Sequence, residues 1–259
     1  MGRRLLILLC LCGSAFAGTT DPSIDDARYL EAGDQHGYVL KLYAENHEGE
    51  LGCGSAVAIS DKWLLTAAHV VHDAVEASVH LGDRAWPVGR VVVHPGFRHA
   101  MMGEHDLAIL RCDEPLGLAA YPLLADGTEA IGDDVVIVGY GATGPLTTGY
   151  DTIDGKRRAG TNTICRRDRS LWICHGCAGT SAREILTAPG DSGGPMLVRG
   201  RLAGIHSIVM RDGKGQVLST TGQESGHTRV GDYIGWIHET TAGELTLPLP
   251  SEHVVDVHH

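Results

Sequence analysis

The sequence has no long apolar stretch and, over most of its 259 residues, no repeated helical pattern of apolar residues. Basic residues are also few, because 21 Lys and Arg stand against 32 Asp and Glu and give a formal net charge of −11. With no basic stripe along the chain, this balance excludes nucleic acid as an expected partner. Glycine, in contrast, is abundant at 35 residues, and 43% of the residues are apolar. We therefore expect many short strands that are joined by tight turns around a sizeable core.

The N-terminus has the pattern of an export signal. Arg3 and Arg4 precede an apolar run from Leu5 to Leu11, which is too short to cross a membrane, and Ala15-Phe16-Ala17 forms a small-x-small cleavage site. We expect the first 17 residues to be removed and the mature chain to begin near Gly18. The protein would then be secreted or periplasmic, with no membrane attachment after the signal is removed.

Seven cysteines are present, and two of them lie in the predicted signal. The other five are Cys53, Cys112, Cys165, Cys174 and Cys177. An exported protein can keep disulfides, and the clustering of the last three predicts at least one local bridge, although an odd number leaves at least one thiol free. The sequence Cys-His-Gly-Cys at 174–177 is also compatible with zinc or redox chemistry, but no second ligand pair has matching spacing. We expect no metal and no cofactor.

Short strands alternate with turns in two groups. The first group is predicted at residues 38–43, 55–59, 63–66, 79–81, 88–93 and 107–110, and the second at 135–138, 196–198, 202–209 and 228–230. A helix is predicted at 232–241. These elements predict an all-β fold of two packed six-stranded antiparallel barrels with a C-terminal helix. The segment 143–187 is rich in Gly, Thr and Arg and is expected to consist mainly of loops.

These patterns divide the chain into four parts. The signal at 1–17 is followed by an N-terminal segment at 18–37, by one domain with both barrels and the terminal helix at 38–243, and by a tail at 244–259 that we expect to be disordered. The tail contains His253, His258 and His259. Such histidines can bind a metal, but a solvated tail is the expected state.

The hexapeptide Gly190-Asp191-Ser192-Gly193-Gly194-Pro195 places one serine in a turn of small residues. Such residues let the backbone bend tightly and let a substrate approach closely. The Ser192 hydroxyl can act as a nucleophile if a neighbouring base takes its proton. The backbone amides of Gly190 and Ser192 can both point at one oxyanion. An ordinary glycine turn with a surface serine is the alternative interpretation of this stretch alone.

A histidine and an aspartate occupy the ends of two apolar strands. His69 follows the third strand and can accept a proton on one ring nitrogen while it donates from the other. Asp106 leads the sixth strand, where a carboxylate can fix the imidazole tautomer. Each residue also has a structural interpretation, as a core histidine or a strand cap, and His72 and His105 compete for the same role.

Three motifs together resemble the chymotrypsin/trypsin-like serine proteases. They are Thr66-Ala67-Ala68-His69, Asp106-Leu107-Ala108-Ile109-Leu110 and the hexapeptide around Ser192, in that family's order. The resemblance implies an acyl-enzyme mechanism in which Ser192 attacks a peptide carbonyl, His69 transfers the proton, Asp106 orients His69, and the Gly190 and Ser192 amides bind the oxyanion. It also implies a protein or peptide substrate, and we expect a monomer.

The chain departs from this family at its activation site. In members made as zymogens, a freed amine pairs with the acid before the serine, which is Asp191 here. No Ile-Val-Gly-Gly start follows a basic cleavage site in 18–37. We therefore expect Asp191 to form an ion pair with an internal arginine or lysine, and a new N-terminus at Ile24 is the alternative. Val70 and Ala188 also stand where many members have cysteine.

The residues around the primary pocket predict its specificity. Leu186, six residues before Ser192, takes the position at the base of the family's pocket, and because it is not an acid, Lys or Arg is disfavoured at the cleaved position P1. Thr187 and the stretch Gly204-Ile205-His206-Ser207 are similar to the glutamyl endopeptidases, in which the corresponding threonine and histidine bind a substrate carboxylate. His227 is expected on the far wall. We expect P1 to be Glu or, as the alternative, a medium-sized apolar residue.

Two other classes of function fit part of this pattern. A catalytically inactive relative that serves as a binding or adhesion module would keep the fold, but here all three motifs are intact. An esterase-type acyl hydrolase uses Gly-x-Ser-x-Gly, which residues 190–194 satisfy, but its order is Ser, Asp, His and a helix follows the serine. Here the histidine precedes the serine and no helical pattern follows it. A secreted serine endopeptidase is therefore the predicted function.

Overall fold

The computed structural model describes residues 18–101, 103–177, 179–210, 215 and 218–245. The predicted signal at 1–17 and the three histidines of the predicted tail lie outside the described residues. Among the helices of the described ranges, none combines the length and the apolar character that a membrane crossing requires.

The chain folds mainly into strands, as the sequence predicts. The strands are β1 (Thr19–Thr20), β2 (Val39–Asn46), β3 (Leu51–Ala58), β4 (Trp63–Thr66), β5 (Ala74–Leu81), β6 (Arg84–Val93), β7 (Ala108–Cys112), β8 (Asp134–Gly139), β9 (Gly144–Pro145), β10 (Arg158–Asp168), β11 (Leu171–His175), β12 (Ile185–Leu186), β13 (Pro195–Val198), β14 (Arg201–Val209) and β15 (Glu224–Arg229). The helices are α1 (Asp26–Asp34), α2 (Ala68–Val71) and α3 (Ile234–Thr240), and a 3₁₀ turn at Val230–Tyr233 precedes α3.

Twelve of these strands close two antiparallel barrels. The first has the order β2-β3-β4-β7-β6-β5, and the second has the order β10-β11-β15-β14-β13-β8. The predicted fold of two six-stranded antiparallel barrels with a C-terminal helix is confirmed. The remaining strands form a small sheet in which β1 lies between β12 and β9.

Separate apolar clusters fill each barrel and the interface between them. Leu64 and Leu65 are neighbours in β4, and because side chains alternate along a strand they face opposite sides. Leu64 packs inside the first barrel, whereas Leu65 joins an interface cluster that includes Val138 and Ile205 of the second barrel. Burial of each leucine contributes roughly 1.5–3 kcal/mol. The interface cluster fixes the two barrels relative to each other and so positions the residues at the cleft between them.

Most residues of the segment 143–187 lie outside strands, but the segment also contains β10 and β11 of the second barrel, which the sequence analysis did not predict. The buried face of β10 carries polar residues. Its sequence therefore lacks the alternation of apolar and polar residues that predicts a strand. Arg158 is buried because Asp26 of α1 binds its guanidinium with both carboxylate oxygens. Asn162 is buried because its amide donates to the Ile185 carbonyl. These partners come from other elements, so the pattern along the chain does not reveal the strand.

The N-terminal segment 18–37 is part of the folded body. β1 pairs antiparallel with β12 and parallel with β9. Helix α1, which the sequence analysis did not predict, begins after Asp25, whose side chain accepts a hydrogen bond from the Ala27 amide. Tyr29 of α1 is fully buried, and its hydroxyl donates to the Glu184 carbonyl. The segment is therefore anchored by pairing, capping and burial.

The first two residues of the predicted tail, Glu244 and Leu245, contact the folded body. Leu245 is buried in the interface cluster, and the Glu244 carboxylate accepts a hydrogen bond from Trp63 Nε1 of β4. Both residues therefore pack onto the body after α3. The sequence places no strand or helix there, because single contacts of this kind have no periodic pattern.

Cys165, Cys174 and Cys177 form no disulfide in the described part of the chain, so the local bridge expected among them is not present there. Cys165 is exposed and its thiol donates to the Ile173 carbonyl, whereas Cys174 is buried inside the second barrel. Burial raises the pKa of the Cys174 thiol. The Cys177 sulfur lies 2.7 Å from His175 Nδ1. The cluster in sequence thus separates onto different faces of a sheet.

Candidate active site

The cleft between the barrels brings together His69, Asp106 and Ser192. Strands β4 and β7 pair side by side and antiparallel, so the residues that follow β4 and precede β7 lie at the same edge. His69 is in α2, two residues after the Ala67 that follows β4, and Asp106 comes just before β7. Ser192 precedes β13 of the second barrel, and its carbonyl accepts a hydrogen bond from the Ser55 amide of β3. The serine loop is therefore attached to both barrels.

The three side chains form one hydrogen-bonded chain. His69 Nδ1 lies 2.7 Å from Asp106 Oδ2, and His69 Nε2 lies 2.9 Å from Ser192 Oγ. An ionised carboxylate can only accept, so Nδ1 carries the proton of the neutral imidazole. Nε2 then presents its lone pair to the Ser192 hydroxyl. This arrangement can remove the hydroxyl proton as the oxygen attacks an electrophile.

Asp106 is held by more than His69. Its side chain is 1% exposed, and it accepts hydrogen bonds from the His69 backbone amide and from the Ser207 hydroxyl, the latter at 2.6 Å. The Thr228 hydroxyl donates to its backbone carbonyl. Burial by itself raises the pKa of Asp106. His69, through its hydrogen bonds and its charge, and Ser207, through its hydrogen bond, lower the pKa by more than burial raises it. The pKa lies below the usual value, so Asp106 stays ionised beside His69.

The two competing histidines are placed elsewhere. His72 lies near Asp73, and its ring stacks on His99. His105 contacts the Tyr233 hydroxyl through Nδ1 and has a φ of +51°. Neither ring takes part in the chain from Asp106 to Ser192.

The backbone before Ser192 forms a tight turn. The Asp191 amide donates to the Ala188 carbonyl, Pro189 is the second residue of the turn, and Gly190 is the third with a φ of +94°. Proline at the second position and a positive φ at the third are typical of a type II turn. Among the described residues, no hydrogen bond uses the amide hydrogen of Gly190 or Ser192. Both amides of the predicted oxyanion site are therefore available to a ligand.

Asp191 is buried, and three backbone amides donate to its carboxylate. They belong to Gly18 at 2.8 Å, Gly141 at 2.7 Å and Ala188 at 2.8 Å. Burial raises the pKa of Asp191 to about 7, although these hydrogen bonds oppose the shift. No Lys or Arg of the described ranges forms an ion pair with it, and Arg158 is bound to other carboxylates. Within the described residues, the partners of Asp191 are thus backbone amides, whereas the sequence analysis expected an internal arginine or lysine.

A pocket of about 190 Å³ opens beside His69 and Ser192. Its other lining residues are Thr187, Ala188, Pro189, His206, Ser207, Ile208 and Val209. Three of the predicted pocket residues, Thr187, His206 and Ser207, line this pocket. Leu186 is fully buried in β12, and His227 lies behind His206, so neither lines the pocket. A second cleft of about 370 Å³ lies on the other side of His69 and Ser192.

The two buried histidines at the pocket form a fixed pair. His206 Nε2 lies 3.1 Å from the Val138 carbonyl and must donate to it, so its Nδ1 accepts from His227 Nδ1 at 2.8 Å. His227 Nε2 then accepts from the Ser225 hydroxyl. Burial lowers the pKa of His227 to about 3. Burial also lowers the pKa of His206, and repulsion between the two rings when they are protonated lowers it further. Both rings are therefore neutral.

The neutral pair predicts a specific loss of stability in acid. The folded pKa of His227 lies below the ordinary 6.5, so below that pH the unfolded chain takes up a proton that the folded chain does not. As the pH is lowered further below 6.5, this group should therefore reduce the free energy of unfolding by about 1.4 kcal/mol per pH unit. We expect urea unfolding to show that the free energy of unfolding decreases between pH 6.5 and pH 5. This decrease should be about 2 kcal/mol smaller in His227→Gln than in the unchanged protein. His47→Gln, at an exposed turn, is the control and should leave the slope unchanged.

Comparison with known proteins identifies the family. The family model for trypsin matches residues 31–237. The chain belongs to the trypsin family. Snake venom serine protease BthaTL from Bothrops alternatus is 25% identical over 243 residues, which cover 84% of this chain and 96% of the relative. Kallikrein-8 from Rattus norvegicus is 29% identical, with 90% of this chain and 94% of the relative covered.

Other relatives of this trypsin-family protease differ in length. Vitamin K-dependent protein C from Mus musculus is 28% identical over 90% of this chain, which spans 54% of that relative. Among solved structures, neuropsin from mouse brain has a TM-score of 0.65 at 20% identity, with 81% of this chain and 96% of that chain covered. HL collagenase has a TM-score of 0.61 at 21% identity, with 81% and 95% covered. These two structures support the chymotrypsin-like fold.

Sequence reasoning missed part of this protease's site. It assigned Ser207 to the pocket, but the hydroxyl also binds Asp106. It did not name Ile208 and Val209, which line the pocket. The signal for all three was their position in β14, directly after His206. Because β14 has an irregular register with β15 at this point, the side that each residue faces could not be derived from the sequence.

Proposed function

We propose that this protein is a serine endopeptidase that cleaves peptide bonds through Ser192, His69 and Asp106. The observation that carries the proposal is the hydrogen-bonded chain from Asp106 Oδ2 through His69 to Ser192 Oγ. Ser192 Oγ attacks the peptide carbonyl as His69 Nε2 takes its proton. His69 then gives that proton to the leaving amine when the C–N bond breaks, and an acyl-enzyme remains. A water molecule then attacks the acyl-enzyme while His69 takes its proton. His69 returns a proton to Ser192 Oγ, and the carboxylic acid product leaves.

The turn before Ser192 supplies hydrogen-bond donors for the oxyanion that forms when the carbonyl is attacked. The amide hydrogens of Gly190 and Ser192 have no other acceptor among the described residues, and Gly190 has the positive φ that the turn requires. An oxyanion on the attacked carbonyl can receive both hydrogen bonds. Loss of one such donor typically lowers kcat by roughly 10²- to 10³-fold.

The shape of the cleft supports cleavage within a chain. One cleft of about 190 Å³ and one of about 370 Å³ lie on opposite sides of His69 and Ser192, so a substrate can extend in both directions. The export signal predicted at the N-terminus supports an activity outside the cytoplasm. A protein or peptide substrate is consistent with both features.

The alternative of an inactive binding module is tested by chemical labelling. A fluorophosphonate probe should label the mature protein at Ser192, because the probe needs a hydroxyl that is activated by a base. Mass spectrometry of the labelled peptide identifies the residue, and Ser192→Ala is the control. A mature, folded protein that takes up no probe would favour the binding module.

The contacts at the pocket favour an apolar P1 residue over glutamate. No Asp, Glu, Lys or Arg lines the pocket within the described residues, and Ala188, Pro189, Ile208 and Val209 are among its lining residues. His206 has both ring nitrogens engaged, with Val138 and with His227. A substrate carboxylate would have to break one of these bonds or remain unpaired, and either is costly in a buried site. We therefore assign a medium-sized apolar P1 residue.

Matched substrates that differ only at P1 test this assignment. With Leu, Phe, Glu or Arg at P1, kcat/KM should be highest for Leu, and Glu and Arg should be lower by on the order of 100-fold. His206→Val should keep this ranking, because the ring does not bind the side chain in this assignment. A preference for Glu that His206→Val abolishes would instead establish the glutamyl specificity considered from the sequence.

A further inference from the structure

We propose that Glu45, Glu50 and Asp73 give this protease a preference for lysine or arginine at the first two positions after the cleaved bond, P1′ and P2′. The inference deepens the proposed function and rests on it. It adds a second requirement to the apolar residue assigned to P1. The substrate is therefore a peptide in which an apolar residue directly precedes one or two basic residues.

The half of the substrate that leaves as the amine passes His69 and enters the larger cleft. His69 Nε2, which lies 2.9 Å from Ser192 Oγ, gives its proton to the leaving amine, so this amine has to lie beside the His69 ring. Val70 and His72, the neighbours of His69, line the cleft of about 370 Å³ but not the pocket of about 190 Å³. With the P1 side chain in the smaller pocket, the P1′ and P2′ residues extend into the larger cleft.

Two separate elements supply the carboxylates of the larger cleft. Glu45 belongs to β2 and Glu50 precedes β3, so both lie at the hairpin that joins these strands. Asp73 lies between α2 and β5. All three residues are exposed, so their carboxylates can meet a substrate without first being uncovered.

The turn of the hairpin fixes the position of Glu50. The Asn46 side-chain oxygen accepts hydrogen bonds from the Glu48 and Glu50 amides. The Asn46 NH₂ group donates to the Glu50 carboxylate at 3.1 Å, and the Asn46 amide donates to the Glu50 carbonyl. The side-chain partner of Glu50 is thus a neutral amide, which holds the carboxylate in place but does not neutralise its charge.

The larger cleft has negative charge without a fixed cation. None of its lining residues in the described ranges is Lys or Arg. The ion pairs of the described Lys and Arg residues go to other acids, and the ion pair of Asp73 is with His72 at 3.7 Å. Glu45 also faces Glu76 across the β2–β5 pair, where like charges repel each other. A cation from the substrate relieves this repulsion.

Long basic side chains match the cleft in shape as well as in charge. Leu51, Val70 and Ala74 line the same cleft and offer apolar surface to the carbon stem of lysine or arginine. Such a side chain can bury its stem while the charged end stays near water and the carboxylates. An acidic residue at P1′ or P2′ would instead face the negative potential of the cleft and bind less well.

Peptides with Leu at P1 that differ only at P1′ and P2′ test this preference. Lys at both positions is compared with Glu and with norleucine, which keeps the four-carbon chain of lysine without its ammonium group. At low salt, kcat/KM should be about 10-fold higher for Lys than for norleucine and about 100-fold higher than for Glu. The advantage over norleucine should fall below about threefold between about 0.01 M and 1 M salt, because the screening length shrinks from about 30 Å to about 3 Å.

Charge variants separate the role of the carboxylates from a general loss of fold. The triple variant Glu45→Gln, Glu50→Gln and Asp73→Asn should cleave the Lys and norleucine peptides at rates that differ by less than about twofold. The double variant Glu45→Lys and Glu50→Lys should prefer Glu over Lys, a gain that misfolding does not produce. Glu31→Gln, an exposed change in α1 that lines neither cleft, is the matched control and should keep the original ratio.

A substrate without P1′ and P2′ residues distinguishes this inference from the proposed function. A peptide nitroanilide with Leu at P1 should be cleaved within about twofold equally by all these variants, because its leaving group carries no charge for the carboxylates to bind. If the enzyme cleaves the nitroanilide but does not favour Lys over norleucine, or if the Lys variant still prefers Lys, the inference is overturned and the proposed function stands. If the folded, unchanged protein cleaves neither kind of substrate and takes up no fluorophosphonate, both fail.

Discussion

Replacing Ser192 with alanine is expected to reduce kcat by on the order of 10⁶-fold. The change removes the hydroxyl that lies 2.9 Å from His69 Nε2 and leaves no atom to form the acyl-enzyme. His69→Ala should have a similar effect, because the hydroxyl then has no base. The double variant should be little worse than either single variant, since both residues act on the same step.

The measurement is single-turnover and steady-state cleavage of a peptide with Leu at P1, with enzyme purified from a host that lacks contaminating proteases. His47→Ala, a change of the same kind at an exposed turn, is the matched control and should keep its activity. If Ser192→Ala or His69→Ala retained more than a few per cent of kcat, the roles assigned to these residues would be wrong.

Replacing Asp106 with asparagine is expected to reduce kcat by about 10⁴-fold with little change of fold. An asparagine oxygen at the position of Asp106 Oδ1 can still accept from the His69 backbone amide, as Asp106 does. Its NH₂ group then faces His69 Nδ1 and donates to it, which moves the ring proton to Nε2. That nitrogen can no longer take the proton of Ser192.

The rate of fluorophosphonate labelling should fall together with kcat in Asp106→Asn, while KM changes little. Asp113→Asn is the matched control, because Asp113 is an exposed carboxylate beside Arg111 and lines neither of the two clefts. It should stay within about threefold of the unchanged enzyme, because an exposed charge pair is worth less than about 1 kcal/mol. A loss below tenfold for Asp106→Asn would contradict its proposed role in setting the tautomer.

Much of the fold and of the candidate site could be predicted because the signals are local. Strands such as β4 and β7 are short apolar runs that end in turns, and each holds its register by alternation along the chain. His69, Asp106 and Ser192 each stand next to such a strand, within a motif of four to six residues. Packing of the two barrels against each other then brings the three motifs together in one cleft.

Other parts of the molecule had no local signal. Strand β10 is interrupted by polar residues, and Arg158 can be buried there because Asp26 from α1 neutralises it. Ser207 could be placed near the pocket, but its hydrogen bond to Asp106 depends on the packing of β14 against the first barrel. His206 matched a carboxylate-binding pattern, yet its pairing with His227 across two strands leaves it no free nitrogen.

The sequence by itself therefore determined the two barrels, the order of the three motifs and the glycine turn at Ser192, since each follows from spacing and turn chemistry within a few residues. The tertiary structure decided what surrounds Asp191. Its contact with Gly18 joins positions 173 residues apart. A buried carboxylate must find its donors and its counter-charge wherever the fold brings them, and that partner is set by the path of the whole chain.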